Sequence, residues 1–227
     1  ISALSKSKNQ TAIRDSRVRL IAEVKRSSPS KGDLAKISDP VKLAKTYETA
    51  GANLISVLTE QRRFKGEISD LVAVRAAVEI PVLRKDFIAT EFQVKETKLI
   101  GADLMLLIVA ALEEQKLRNL YSLAKEIGLE VLVEIHNNSE LETAMKLNPK
   151  IIGVNARNLK TLEVDESNFA ELLPKIPGNV IKVAESGINS REQVKRLEQL
   201  GTDAILVGES LVKAEDPAKK IFELLQD

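Results

Sequence analysis

Among the 227 residues there is no cysteine and no tryptophan, one histidine, two methionines, two tyrosines and five phenylalanines. Without cysteine, disulfides are excluded and metal chemistry loses its sulfur ligands. His136 is the only imidazole, and we read it as an ordinary strand-end histidine; no metal site is expected. Long apolar runs are also missing. The longest, Leu104 to Leu112, is far below the roughly 20 residues of a membrane-crossing helix. No charged-then-apolar leader opens the chain as given, so the expected location is the cytoplasm. Scarce aromatics bear on charge as well. The net charge is +1, yet residues 1–36 carry nine Lys or Arg against three Asp or Glu. A nucleic-acid arm interleaves aromatic rings for stacking, and none occurs before Tyr47. The excess is therefore assigned to a solvated face and to contacts with an anionic substrate. No nucleic-acid or membrane partner is expected.

What is present is enough apolar and charged material for one soluble domain, 44% and 30% of the residues. Strand-like runs rich in β-branched and aliphatic residues recur at intervals of roughly 20 to 30 residues. They are Leu20–Lys25, Asn53–Leu58, Ile80–Lys85, Asp103–Val109, Glu130–Ile135, Ile151–Asn155, Val180–Glu185 and Asp203–Val207. Segments of helical period separate them, as in Leu117, Leu120, Tyr121, Ala124 and Ile127. Asp39-Pro40 and Asp216-Pro217 read as an N-cap followed by proline in the first turn. Thr90…Gln93, Ser139…Glu142 and Ser190…Gln193 read as capping boxes. Gly51, Gly101, Gly128 and Gly201 stand where a helix must turn into the next strand. Eight near-continuous apolar strands, each followed by a helix, predict an α/β chain closed into a single (β/α)8 barrel over residues 20–227, behind a short N-terminal extension of residues 1–19. A dinucleotide-binding sheet is disfavoured, because no G-x-G-x-x-G follows the first strand.

In such barrels the site lies at the carboxyl ends of the strands, so a charge ending an apolar strand is informative. Glu23 and Lys25 share one side of the first strand; Lys85, Glu134, Asn155 and Glu185 end the third, fifth, sixth and seventh, and Arg157 follows two residues after Asn155. Three acids and three bases at one mouth must neutralise each other or meet a charged ligand. Phe64, Phe87, Leu106 and Ile108 offer an apolar wall for a planar group. Glycines in Glu185-Ser-Gly-Ile and Val207-Gly-Glu-Ser occupy the two loops from which many barrels build a phosphate site. Backbone N–H groups of Gly187, Gly208 and Glu209 are the expected ligands.

The segment Ile21-Ala-Glu-Val-Lys-Arg-Ser-Ser-Pro-Ser-Lys-Gly resembles the signature of indole-3-glycerol-phosphate synthases. The resemblance continues through Leu83-Arg-Lys-Asp-Phe, Leu132-Val-Glu-Ile-His, Gly153-Val-Asn-Ala-Arg-Asn-Leu and Val183-Ala-Glu-Ser-Gly-Ile. It implies ring closure, decarboxylation and dehydration of 1-(2-carboxyphenylamino)-1-deoxyribulose 5-phosphate, without a cofactor, by a monomer. By the same resemblance Lys85 is the general acid, Glu134 and Lys25 an acid–base pair, and Glu23 the group that orients the lysines. It likewise assigns Asn155, Glu185 and Ser186 to positioning, Ser28, Lys25 and Arg157 to the substrate carboxylate, and Leu159 to substrate contact. Members commonly carry a longer N-terminal segment whose helix packs near the barrel mouth. The related phosphoribosylanthranilate isomerases pair a cysteine with an aspartate, which this chain cannot do.

Overall fold

The structure, a computed structural model, describes residues 18–226. Most of the expected N-terminal extension, residues 1–17, lies outside the described residues. Eight parallel strands close into a barrel in chain order: β1 (Arg19–Val24), β2 (Leu54–Leu58), β3 (Val82–Lys85), β4 (Leu104–Ile108), β5 (Glu130–Ile135), β6 (Ile151–Asn155), β7 (Ile181–Glu185) and β8 (Ala204–Val207). The ring is shut by β8 against β1, with Ile21 opposite Leu206. Each expected strand is found: β5 and β6 with the expected bounds, β1 shifted one residue earlier, and the others trimmed by one or two residues. Pro81 has no N–H to give a neighbour, so β3 begins after it. Lys25 falls just past β1, and Val109 turns into a short 3-10 segment.

Alternation along the strands separates two cores. Leu20, Ala22 and Val24 face the helices, as do their counterparts on the other strands. Ile21, Leu54, Leu83, Leu104, Leu132, Ile151, Ile181 and Ala204 fill the barrel's interior. Both sets are apolar because each strand is covered on both faces.

The connections follow the expected chemistry. Asp39 and Asp216 accept from the amides of Lys42 and Lys219, at 2.8 and 3.0 Å, with proline in the first turn of each helix. Both reciprocal bonds of a capping box are present at Thr90–Gln93 and at Ser190–Gln193. The expected Ser139…Glu142 box is not formed. The helix Asn138–Met145 is capped by Asn137, which accepts from the Glu140 amide, while Glu140 reaches back to the His136 amide. Asn137 prevails because its side chain and that of Glu140 also bind each other.

Gly51, Gly101, Gly128 and Gly201 take φ of 107, 87, 75 and 84°, a region that disfavours any residue with a Cβ. In three of these turns the residue two beyond the glycine ties adjacent strands together. Asn53, Asp103 and Asp203 accept from the amides of Leu20, Val82 and Lys182, at 3.0, 2.9 and 3.0 Å. The repeated glycine-x-Asn/Asp thus fixes the lower rim. Chemistry is left to the other end.

Candidate functional site

Strand direction sends every β-to-α loop to one end of the barrel, where a cavity of about 700 Å³ opens. Its lining includes all of the residues singled out above: Glu23, Lys25, Ser28, Phe64, Lys85 and Phe87 on one side; Leu106, Ile108, Glu134, Asn155, Arg157 and Leu159 on another; Glu185, Ser186, Gly187, Gly208 and Glu209 on the third. Register explains the convergence. Glu134 lies level with Gly153, Asn155 with Glu185, and Leu58 with Lys85, so inward-facing positions meet on one level above the apolar interior.

At the floor Lys85 reaches Glu185 in a very short contact and Glu134 at 3.4 Å. Lys25 pairs with Glu23 at 2.8 Å, and Ser56 donates to the other Glu23 oxygen at 3.3 Å. Burial opposes the charge on Lys85, but Glu185, Glu134 and Glu23 more than offset it and hold its proton well above the usual lysine range.

The two carboxylates that share Lys85 diverge. Burial pushes Glu134 up, yet Lys85, His136 and Asn155 outweigh it and bring its pKa down to about 2. Asn155 Nδ2 donates to Glu134 Oε1 at 3.1 Å. Burial pushes Glu185 up too, and there burial, helped by repulsion from Glu134 and Glu23, outweighs the pull of Lys85, leaving it at about 7. Lys85 is nearer to Glu185, but proximity to one shared cation does not decide the matter. Glu134 has further donors, whereas Glu185 Oε1 is buried with no hydrogen-bond partner. That oxygen rests over Gly153, where any Cβ would collide with it. A glycine on β6 is what gives the Glu185 carboxyl its place.

Around the rim, Asn155 Oδ1 accepts from the Arg157 amide at 2.9 Å and from Ser186 Oγ at 2.8 Å. The Arg157 guanidinium donates to Ser30 Oγ at 3.1 Å and to the Leu162 carbonyl at 2.7 Å. Among the described residues it has no acidic partner, so its charge is available to a ligand. Phe64 and Phe87 stand with ring centroids 6.3 Å apart, a tilted pair at the mouth. Ser186 and Gly187 adopt successive left-handed conformations, φ 73 and 78°, which turn the loop after β7 towards the loop after β8. Lys31 and Lys213 hold the Glu209 side chain at 3.0 and 2.9 Å. Much of the N-terminal positive excess is answered locally: Lys25 by Glu23, Arg26 by Asp70, Lys31 by Glu209.

Some lining residues had not been singled out. Ser30 and Lys31 lie in the same Ser-Pro-Ser-Lys-Gly segment as Ser28, which was signal enough to include them. Val164 reaches the cavity through an antiparallel bridge with Arg157, and nothing local in the sequence marks it. His136 stands just past the end of β5, with a carboxylate on either side: Glu134 Oε1 at 3.3 Å from Nε2 and Glu140 Oε2 at 3.0 Å from Nδ1.

Among solved structures, the barrel is similar to a 3-hexulose-6-phosphate synthase, with a TM-score of 0.71 and 17% identity over 91% of this chain and 98% of that one. It is also similar to a chain of the tryptophan synthase complex of Pyrococcus furiosus, with a TM-score of 0.69 and 14% identity over 94% and 99%. At such identities these likenesses concern the fold alone. Sequence relatives reach further. The indole-3-glycerol phosphate synthase 1 of Streptomyces coelicolor is 54% identical over 94% of this chain and 80% of its own length. The indole-3-glycerol phosphate synthase of Mycolicibacterium vanbaalenii is 52% identical over 94% and 79%. The family model for indole-3-glycerol phosphate synthase matches residues 3–224, and the chain belongs to that family.

Proposed function

We propose that the chain converts 1-(2-carboxyphenylamino)-1-deoxyribulose 5-phosphate to indole-3-glycerol phosphate, releasing one carbon dioxide and one water. One observation carries the assignment of roles: Lys85 stands between Glu134 and Glu185 on the cavity floor while Arg157 faces the same space with no acidic partner among the described residues. The ring carbon bearing the carboxylate attacks the substrate ketone, and negative charge gathers on the ketone oxygen. Lys85 protonates that oxygen. Its tightly held proton is no obstacle, because a developing alkoxide is a far stronger base than a ground-state carbonyl. Carbon dioxide then leaves and the ring regains aromaticity. Loss of the new hydroxyl as water, with a proton from the adjoining carbon, completes the indole; Glu134 and Lys25 are the acid–base pair for this step.

Binding divides along the same lines. Arg157, Ser28 and Lys25 take the substrate carboxylate, and Phe64, Phe87, Leu106, Ile108 and Leu159 take the aromatic ring. Backbone N–H groups of Gly187, Gly208 and Glu209 take the phosphate; the Glu209 carboxylate, tied back by Lys31 and Lys213, leaves its amide free for an anion. Glu23 orients the lysines, and Asn155, Glu185 and Ser186 position the substrate hydroxyls and carboxylate. The reaction needs no cofactor, and we place it in a monomer in the cytoplasm. Among the described residues no helix is long and apolar enough to cross a membrane.

A turnover assay tests the assignment directly. The chain contains no tryptophan, so indole fluorescence reports product over a low protein background. Absence of indole formation from this substrate would refute the proposal.

A further inference from the structure

His136 does not line the cavity, yet it touches the carboxylate at its floor. Its Nε2 lies 3.3 Å from Glu134 Oε1, the oxygen that accepts from Asn155 Nδ2; the pair is in ion-pair contact without the alignment of a hydrogen bond. Its Nδ1 lies 3.0 Å from Glu140 Oε2, and the same oxygen accepts the His136 backbone N–H at 2.8 Å. Glu140 is itself held by Asn137, whose side chain donates to Oε1 at 2.6 Å and accepts the Glu140 amide at 3.0 Å. The cap of the helix Asn138–Met145 therefore fixes Glu140, Glu140 fixes the imidazole, and the imidazole abuts Glu134. The ring is largely buried, 10% exposed, so it has little freedom to swing away.

We infer that His136 is a positioning residue, which through its imidazolium charge holds the Glu134 carboxylate in register with Lys85 and is itself oriented by Glu140. The inference rests on the catalytic reading of Glu134 given above. The charged groups around the ring are Glu134 from its own strand and Glu140 from the capped helix, with Lys85 on the far oxygen of Glu134. The turn Val109–Ala111, which packs against β5, contributes none. Burial alone would lower the imidazole's affinity for its proton; the two carboxylates outweigh it and raise its pKa to about 9. Below that pH the ring is an imidazolium whose charge faces both carboxylates. Above it one proton is lost. The Glu140 contact retains Nδ1–H, and the neutral ring no longer attracts the Glu134 carboxylate, which is released.

The test compares the parent with His136→Leu, His136→Gln, Glu140→Gln and Glu134→Gln, measuring kcat and KM per folded molecule from pH 6 to 10. Because the chain has one histidine, its imidazole resonance can be titrated by NMR without assignment. Loss of a buried charged partner predicts ~10–100-fold lower kcat for His136→Leu, with KM changing less. His136→Gln, polar but neutral at every pH, should share the lowered kcat and lose the alkaline fall near pH 9. Glu140→Gln should move that fall, and the NMR titration, to lower pH. If Glu134→Gln turns over like the parent, the catalytic reading itself fails. If Glu134→Gln is inactive while His136→Leu keeps the parent's kcat and pH profile, the role of His136 alone is overturned. Loss of folded protein with an unchanged profile per folded molecule would likewise make His136 structural only.

Discussion

Replacing Glu185 by glutamine should stabilise the protein at alkaline pH while impairing turnover. Glu185 is buried, one oxygen has no partner, and Glu134 and Glu23 repel its charge, so its pKa rises from 4.5 to about 7. The sign follows from proton counts. Between those two values the folded state binds more protons than the unfolded one, so stability falls as pH rises through that window and is level above it. Glutamine mimics the neutral carboxyl and does not titrate. Variant and parent should therefore match below pH 4.5 and diverge up to pH 7. At about 1.4 kcal/mol per pH unit, the span from 4.5 to about 7 amounts to about 3 kcal/mol, an order-of-magnitude figure. For a chain of this size that is roughly 5–10 °C in melting temperature. Scanning calorimetry of both proteins from pH 5 to 9 measures the divergence, and the indole assay measures the accompanying loss of activity. Parallel melting curves across that range, or a variant less stable than the parent at pH 8, would refute the reasoning.

Three further outcomes are expected. Lys85→Ala should lower kcat by ~10²–10⁴-fold with a smaller effect on KM, and Lys85→Arg should not restore it, because the longer planar guanidinium cannot set a proton at the point between Glu134 and Glu185 where the ammonium stands; steady-state kinetics of both decide. Glu134→Gln should abolish most turnover and, by the same linkage, melt somewhat lower above pH 4.5, where the ionised carboxylate with its depressed pKa stabilises the fold; a variant that melts lower but retains its activity per folded molecule would make Glu134 a structural ion-pair member only. Crystals soaked in sulfate or phosphate should show an ordered anion on the amides of Gly187, Gly208 and Glu209, and ordered density only elsewhere on the barrel would overturn the phosphate assignment.

The barrel was legible because its signals are local and repeated. Strand runs such as Leu104–Ile108, the prolines after Asp39 and Asp216, and the glycine-x-Asn/Asp turns each act within a few residues, and eight repetitions leave few topologies. The mouth was legible for a different reason. A charge such as Lys85 or Glu134 closing an apolar strand stands out against its neighbours, and parallel strands bring all such ends together. Failures occurred where two local options competed or where contacts were purely tertiary. Ser139 and Asn137 both offer a capping oxygen, and the bonds of Glu140 to the Asn137 side chain and the His136 amide distinguish them. The partition of charge between Glu134 and Glu185 depends on donors from three strands and on the missing Cβ of Gly153. No single segment encodes it. His136 reads as an unremarkable strand end until Glu140 is seen on its other side.

The location of the electrostatic strain follows from the way the barrel is built. Side chains alternate along each strand, so the interior must be filled level by level, and the lower levels hold Ile21, Leu54, Leu83, Leu104, Leu132, Ile151 and Ile181, which have no polar atoms to satisfy. That apolar stack has no charge of its own to unbalance. It allows the next level to hold Glu23, Lys85, Glu134 and Glu185 in one buried group, a crowd of like charges that costs stability and that Lys85, with Lys25 on Glu23, only partly relieves. Because Glu134 takes the greater share of donors, Glu185 is left near neutrality, and the floor can change its charge at ordinary pH by one proton. An anionic ligand approaching Arg157 would further oppose ionisation of Glu185 and leave Lys85 less encumbered. The residue that most burdens the fold is thus the one through which the site can adjust to a charged substrate.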